Sequence, residues 1–123
     1  MRWLYVMIGG SLGAAIRFAI VELIPSREGF FPWGVFAINS AGCFVIGLLF
    51  GLAGTRFDIS PNLQIALQIG FLGSITTFSA LGLDTFRLLE SGSTGYALAN
   101  AVGSLVAGVS LVFLGVLLSR QIN

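Results

Sequence analysis

The chain has no histidine, no lysine and one cysteine, Cys43, among its 123 residues. The commonest metal ligand and general base is therefore missing. A single thiol also excludes an internal disulfide and leaves no Cys/His catalytic pair. Charge is almost as scarce: six arginines and five acids make up 9% of the residues, against about 25% in a soluble domain. So few charges cannot cover a water-facing surface. A net charge of +1 provides no basic patch for nucleic acid. No nucleophile with a neighbouring base is apparent, so the sequence does not read as an enzyme.

What the chain has in quantity is apolar surface and glycine: 56% hydrophobic residues and 17 glycines, with a mean hydropathy of +0.98. These place it among all-α membrane proteins, with lipid as its surroundings. At ~20 residues per helical crossing, a chain this short holds at most about four or five spans. Apolar runs bounded by charge, proline and turn residues give four transmembrane helices, at 3–24, 32–54, 62–90 and 95–119. The breaks are Pro25 to Gly29, Thr55-Arg56-Phe57-Asp58, and Glu90 to Ser93. Ser60 ahead of Pro61 reads as an N-cap with proline at the first helical position. Trp3, Tyr5, Trp33 and Tyr96 sit near span ends, where amphipathic rings favour the headgroup layer. Residues 1–123 read as a single four-helix domain with no linker. Met1 and Arg2 ahead of an apolar run look like a signal peptide, but the run resumes past Arg17 and is long enough to span.

Orientation is weakly marked. Arg2, Arg56 and Arg120 lie on one side of the predicted bundle, Arg27 and Arg87 on the other. Three against two barely biases insertion. Either the chain takes one orientation, or it inserts both ways and pairs with its inverted copy.

Polar groups in a bilayer core are costly unless satisfied, so each is informative. Gly9, Gly10, Gly13, Ala14 and Arg17 share one face of the first helix. An arginine there costs about 2.5–3.5 kcal/mol, so it faces a partner or a wet vestibule, or snorkels to the interface. In the second span Asn39, Cys43, Gly47 and Gly51 recur every four residues. Asn39 is then either a helix-to-helix hydrogen bond, about 0.6 kcal/mol in membranes, or a donor to a passing ion. The third span is long for one crossing, and its middle runs Gly70-Phe71-Leu72-Gly73-Ser74-Ile75-Thr76-Thr77-Phe78-Ser79. Glycine, hydroxyl and β-branched residues together disfavour a regular helix, so the backbone is expected to open there, near mid-membrane. Freed carbonyls make a cation site and freed amides an anion site; the alternative is a kink relieved by Ser and Thr back-bonding. Asn100, Ser104 and Gly108 form a further stripe on the fourth helix, as packing or as one wall of an aqueous track.

At these residues the sequence resembles the small fluoride channel family, known as Fluc or CrcB. The likeness is carried by GGSLGAAIRF at 9–18, WGVFAINSAGCFVIG at 33–47 and GFLGSITTFSALGLDTFRLLESG at 70–92. The resemblance implies an antiparallel, dual-topology homodimer in a bacterial or archaeal inner or plasma membrane. It implies passive export of fluoride from the cytoplasm, through two pores along the subunit interface. A structural Na⁺ at the centre would be held by backbone carbonyls of Gly73 and Thr76 from both subunits; no organic cofactor is implied. Carried onto this chain, the fluoride pathway includes Asn39, Phe78, Thr77 and Ser79, a polar track at Asn100 and Ser104, and a vestibule arginine, Arg17. Many relatives have tyrosine in place of Asn100.

One departure stands out. The family pattern TTFSTF reads TTFSAL here, with Leu81 where a second phenylalanine is expected. Leucine has no electropositive ring edge to offer an anion. Either one phenylalanine per subunit suffices, or this subunit works with a different partner, as a heterodimer-dependent or non-conducting structural subunit. Asp84 stands where relatives often carry Glu. A small multidrug-type exporter is the remaining alternative. Proton-coupled export needs an acid deep in the membrane, yet the first span offers only Glu22, near its end, and the second and fourth offer none.

Overall fold

The computed structural model describes residues 1–53 and 59–122, and the break read at Thr55 to Asp58 lies outside them. Among the described residues every element is helical. α1 spans Arg2–Leu23 and α2 spans Trp33–Leu52. α3 (61–75) begins with an α turn, Pro61–Gln64, continues as a π-helix over Ile65–Leu72 and closes with Gly73–Ile75. α4 is Phe78–Glu90 and α5 is Thr94–Gln121. Among the described residues four stretches are long and apolar enough to cross a membrane: Arg2–Leu23, Trp33–Leu52, Pro61–Glu90 and Thr94–Gln121.

The ends of these helices follow the local sequence. Ser60 caps α3 by accepting from the Leu63 N–H at 3.4 Å, with Pro61 in the first turn where its missing N–H costs nothing. Gly29 and Gly92 both take φ +76° in the turns after α1 and α4, a conformation that side-chain-bearing residues rarely adopt. Ser93 then ties the two turns together by donating to the Gly29 carbonyl at 3.0 Å.

Small residues decide which helices touch. On α1, a Cβ at Gly9 or Gly13 would overlap the backbone of Ala66 or Phe71, so α1 lies directly against the π-wound part of α3. On α2, a Cβ at Gly47 would overlap the Val112 backbone and one at Gly51 the Ser119 side chain, which seats α2 on α5. These are the small-residue stripes of the sequence, used as close helix contacts. α4 leans on α5 as well. The buried centre is slight: Ile38, Leu72 and Ile75, with Ile20, Leu49 and Phe71 against it. Most large apolar side chains face outward, as expected where lipid, or another copy, replaces water.

Candidate functional site

α3 and α4 are separated by two residues in extended conformation, Thr76 (φ −85°, ψ 146°) and Thr77 (φ −149°, ψ 121°). Such a segment leaves backbone groups without helical partners, and in lipid those must be satisfied by protein. Asn39 does much of this from α2. Its Oδ1 accepts from the Thr77 N–H at 2.8 Å, and its Nδ2 donates to the Thr77 carbonyl at 3.3 Å. That is the two-point pairing one extended strand gives another, supplied here by a side-chain amide. Gly42, one turn along α2, permits the approach, because a Cβ there would overlap the Thr76 methyl, Cγ2.

The hydroxyls nearby are also committed. Thr76 Oγ1 donates back to the Leu72 carbonyl at 2.8 Å, so its side chain turns toward its own helix. Thr77 Oγ1 caps α4 by accepting from the Ala80 N–H at 3.3 Å and lies 3.0 Å from Ser79 Oγ. Phe78, the first residue of α4, is 86% exposed. It lines an open groove of about 1120 Å³ together with Asn39, Gly73, Thr76, Thr77, Leu81, Thr85 and Ser104. Six of the residues singled out from the sequence therefore lie on one surface beside Gly73, whereas Asn100, Ser79 and Arg17 do not line it.

Asn100 is fully buried between α5 and α4. Its Nδ2 donates to Thr85 Oγ1 at 3.0 Å and reaches the Leu81 carbonyl at 3.5 Å. Thr85 escaped the sequence reading; the signal was a hydroxyl one turn beyond Leu81 on the helix that must face Asn100. Asn100 Oδ1 and Ser104 Oγ are both buried without a hydrogen-bond partner, an unusual state for polar atoms.

Arg17 lines a separate cavity of about 440 Å³ with Glu22, Thr77, Ala80, Asp84 and Arg87. Asp84 meets Arg87 at 3.8 Å, while among the described residues no carboxylate is within ion-pair reach of Arg17. Thr77 lines both this cavity and the groove. The described residues include no group of three or more acidic, Cys or His side chains able to hold a metal.

A family model described as "CrcB-like protein, Camphor Resistance (CrcB)" matches residues 4–116. A fluoride-specific ion channel of Streptomyces avermitilis is 43% identical over 117 residues, covering 94% of each chain. One from Methylobacillus flagellatus is 44% identical over 112 residues, covering 89% of this chain and 88% of its own. An archaeal one, from Pyrococcus horikoshii, is 40% identical over 116 residues, with 94% of each chain covered. Each relative is named as a channel, not as an enzyme. With four stretches able to cross a membrane and a match over nearly its whole length, this multi-pass membrane protein belongs to the CrcB-like family.

Proposed function

We propose that the chain is a fluoride-selective passive channel that exports fluoride from the cytoplasm, working as an antiparallel dimer with two pores along the interface. The observation that carries this is the neutral donor set on the groove. Fluoride is small and tightly hydrated, so a pore must replace its water with close donors that still release it. The second N–H of Asn39 and the ring edge of exposed Phe78 supply such donors on the groove without a full charge, and the Thr77/Ser79 pair, which uses one O–H internally, leaves the other beside it. Ser104 extends the groove wall along α5, Asn100 is buried between α5 and α4 rather than on that wall, and Leu81 lines the groove. Arg17, unpaired among the described residues, serves as the vestibule cation that raises anion concentration nearby.

In this reading Thr76–Thr77 is the mid-membrane opening of the third span, and the carbonyls of Gly73 and Thr76 would hold the structural sodium. The fit is good. The N–H groups that would close on these carbonyls in a helix, those of Thr77 and Ala80, are taken instead by Asn39 Oδ1 and Thr77 Oγ1. Carbonyl oxygen suits a hard cation, whose charge would join two copies of the chain. Leu81 supports a second reading, in which conduction requires a different partner subunit that brings the missing ring.

The test is fluoride efflux from liposomes containing only this purified chain. Fluoride should leave far faster than chloride, following its electrochemical gradient without a proton gradient. Equal chloride flux or proton dependence would refute the channel reading, and silence of the chain alone would favour the partner-dependent one.

A further inference from the structure

We propose that Asn39 and Thr77 are positioning residues for the cation cradle, holding the Gly73 and Thr76 carbonyls open by occupying the N–H groups that would otherwise close on them. This rests on the sodium reading above and assigns the side chains on which it depends. In a continuous helix the Gly73 carbonyl accepts from the Thr77 N–H, and the Thr76 carbonyl from the Ala80 N–H, each four residues on. Here both donors are diverted. The Thr77 N–H goes to Asn39 Oδ1 at 2.8 Å and the Ala80 N–H to Thr77 Oγ1 at 3.3 Å.

The two diversions are of one kind, a side-chain oxygen competing with a backbone oxygen for the same proton. They fall on the two carbonyls assigned to sodium. The Thr76 hydroxyl donates to the Leu72 carbonyl at 2.8 Å, which turns the side chain toward its own helix. Without the Asn39 oxygen, the Thr77 N–H could be satisfied by the Gly73 carbonyl only by turning Thr76, now at ψ 146°, back to helical conformation, which closes the break. An unsatisfied donor at this depth has no water to turn to. The cradle would then exist only when the ion itself held it open, and more sodium would be needed to fill it. Asn39 also faces the groove, so one amide serves the cradle through its oxygen and the anion path through its remaining N–H.

The experiment is thermal unfolding of the purified full chain in detergent, with sodium chloride exchanged for choline chloride at constant ionic strength. Wild type should gain stability as sodium rises, with a definable midpoint. Asn39→Leu and Thr77→Val keep volume and remove the accepting oxygen; the first, which loses both bonds to Thr77, should raise that midpoint about eightfold, and the second, which loses the one bond to Ala80, about threefold. Thr77→Ser keeps the oxygen and should stay within about twofold. Variants with the wild-type midpoint would overturn the positioning role while leaving the sodium reading intact. A wild type indifferent to sodium would overturn that reading, and this one with it. If Asn39→Leu does not assemble, Thr77→Val decides, and loss of both that excess sodium cannot restore counts against the proposal.

Discussion

At Gly42 the smallest possible change should disturb the break between α3 and α4. Gly42→Ala adds one methyl group, which would overlap Thr76 Cγ2; its next neighbours, Ile75 Cγ2 at 3.7 Å and Thr76 Cβ at 3.8 Å, are at ordinary contact distance. The clash is therefore with a single atom. Overpacking of this kind costs about 1–3 kcal/mol. Relief by moving α2 outward would stretch the Asn39 bonds to Thr77, now 2.8 and 3.3 Å, each contributing about 0.6 kcal/mol in a membrane. The single variant should lose roughly 2–4 kcal/mol of stability and most fluoride flux. Thr76→Ser removes the offending methyl and keeps both the carbonyl and the hydroxyl bond to Leu72, at a cost of about 1 kcal/mol. Gly42→Ala combined with Thr76→Ser should then be more stable than Gly42→Ala alone, a favourable coupling of about 1–3 kcal/mol. Denaturant titration of the detergent-solubilised protein reads the stability cycle, and liposome efflux reads the flux. A neutral Gly42→Ala, or a double variant no better than the single, would refute the close approach of α2 to Thr76.

The orientation of the chain is tested by a C-terminal tag probed from both sides of the membrane, and it should be found on each. A one-sided population would exclude a dual-topology homodimer. At the departure from the family pattern, Leu81→Phe should leave fluoride flux within a few-fold, because the groove already holds Asn39 and Phe78. Phe78→Ala should be the damaging change; a large gain from Leu81→Phe would show instead that the second ring is what the chain lacks.

The spans were legible because hydrophobic length and charged breaks are local properties, and the Ser60-Pro61 start of α3 is a local cap. The glycine stripes were legible as periodicity. Their partners were not, since Gly9 meets Ala66 and Gly47 meets Val112 across long stretches of chain. The same holds for the π-helix over Ile65–Leu72. Nothing in Ile65-Ala66-Leu67-Gln68 announces it, and it occurs where α1 presses its glycines on that backbone. Asn39 was legible as a polar residue needing a partner, but its two bonds to Thr77 join residues 38 positions apart. The Asn-x-x-Gly spacing carried the missing information: Gly42 places α2 close enough for the amide one turn earlier to reach. Thr85 shows the complementary lesson, because a buried Asn100 demands a donor or acceptor on whichever helix covers it.

The placement of charge gives a reason for the layout around Thr77. The cavity on one side of it holds Arg17, Glu22, Asp84 and Arg87, a set that sums to zero but is ordered. Asp84 is engaged with Arg87, and Glu22 lies five residues nearer the end of α1 than Arg17, about 7.5 Å along the axis. Arg17 is thus the inner charge, on the side toward Ala14 and away from the helix end. On the other side of Thr77, the groove wall from Asn39 to Ser104 carries amide, hydroxyl and ring edge, with Arg120 as its one charged lining residue. An anion drawn by a fixed charge and then passed to neutral donors is concentrated without being trapped, because full charges in the narrow part would bind too tightly to release it. In the proposed channel Thr77 stands at that hand-over.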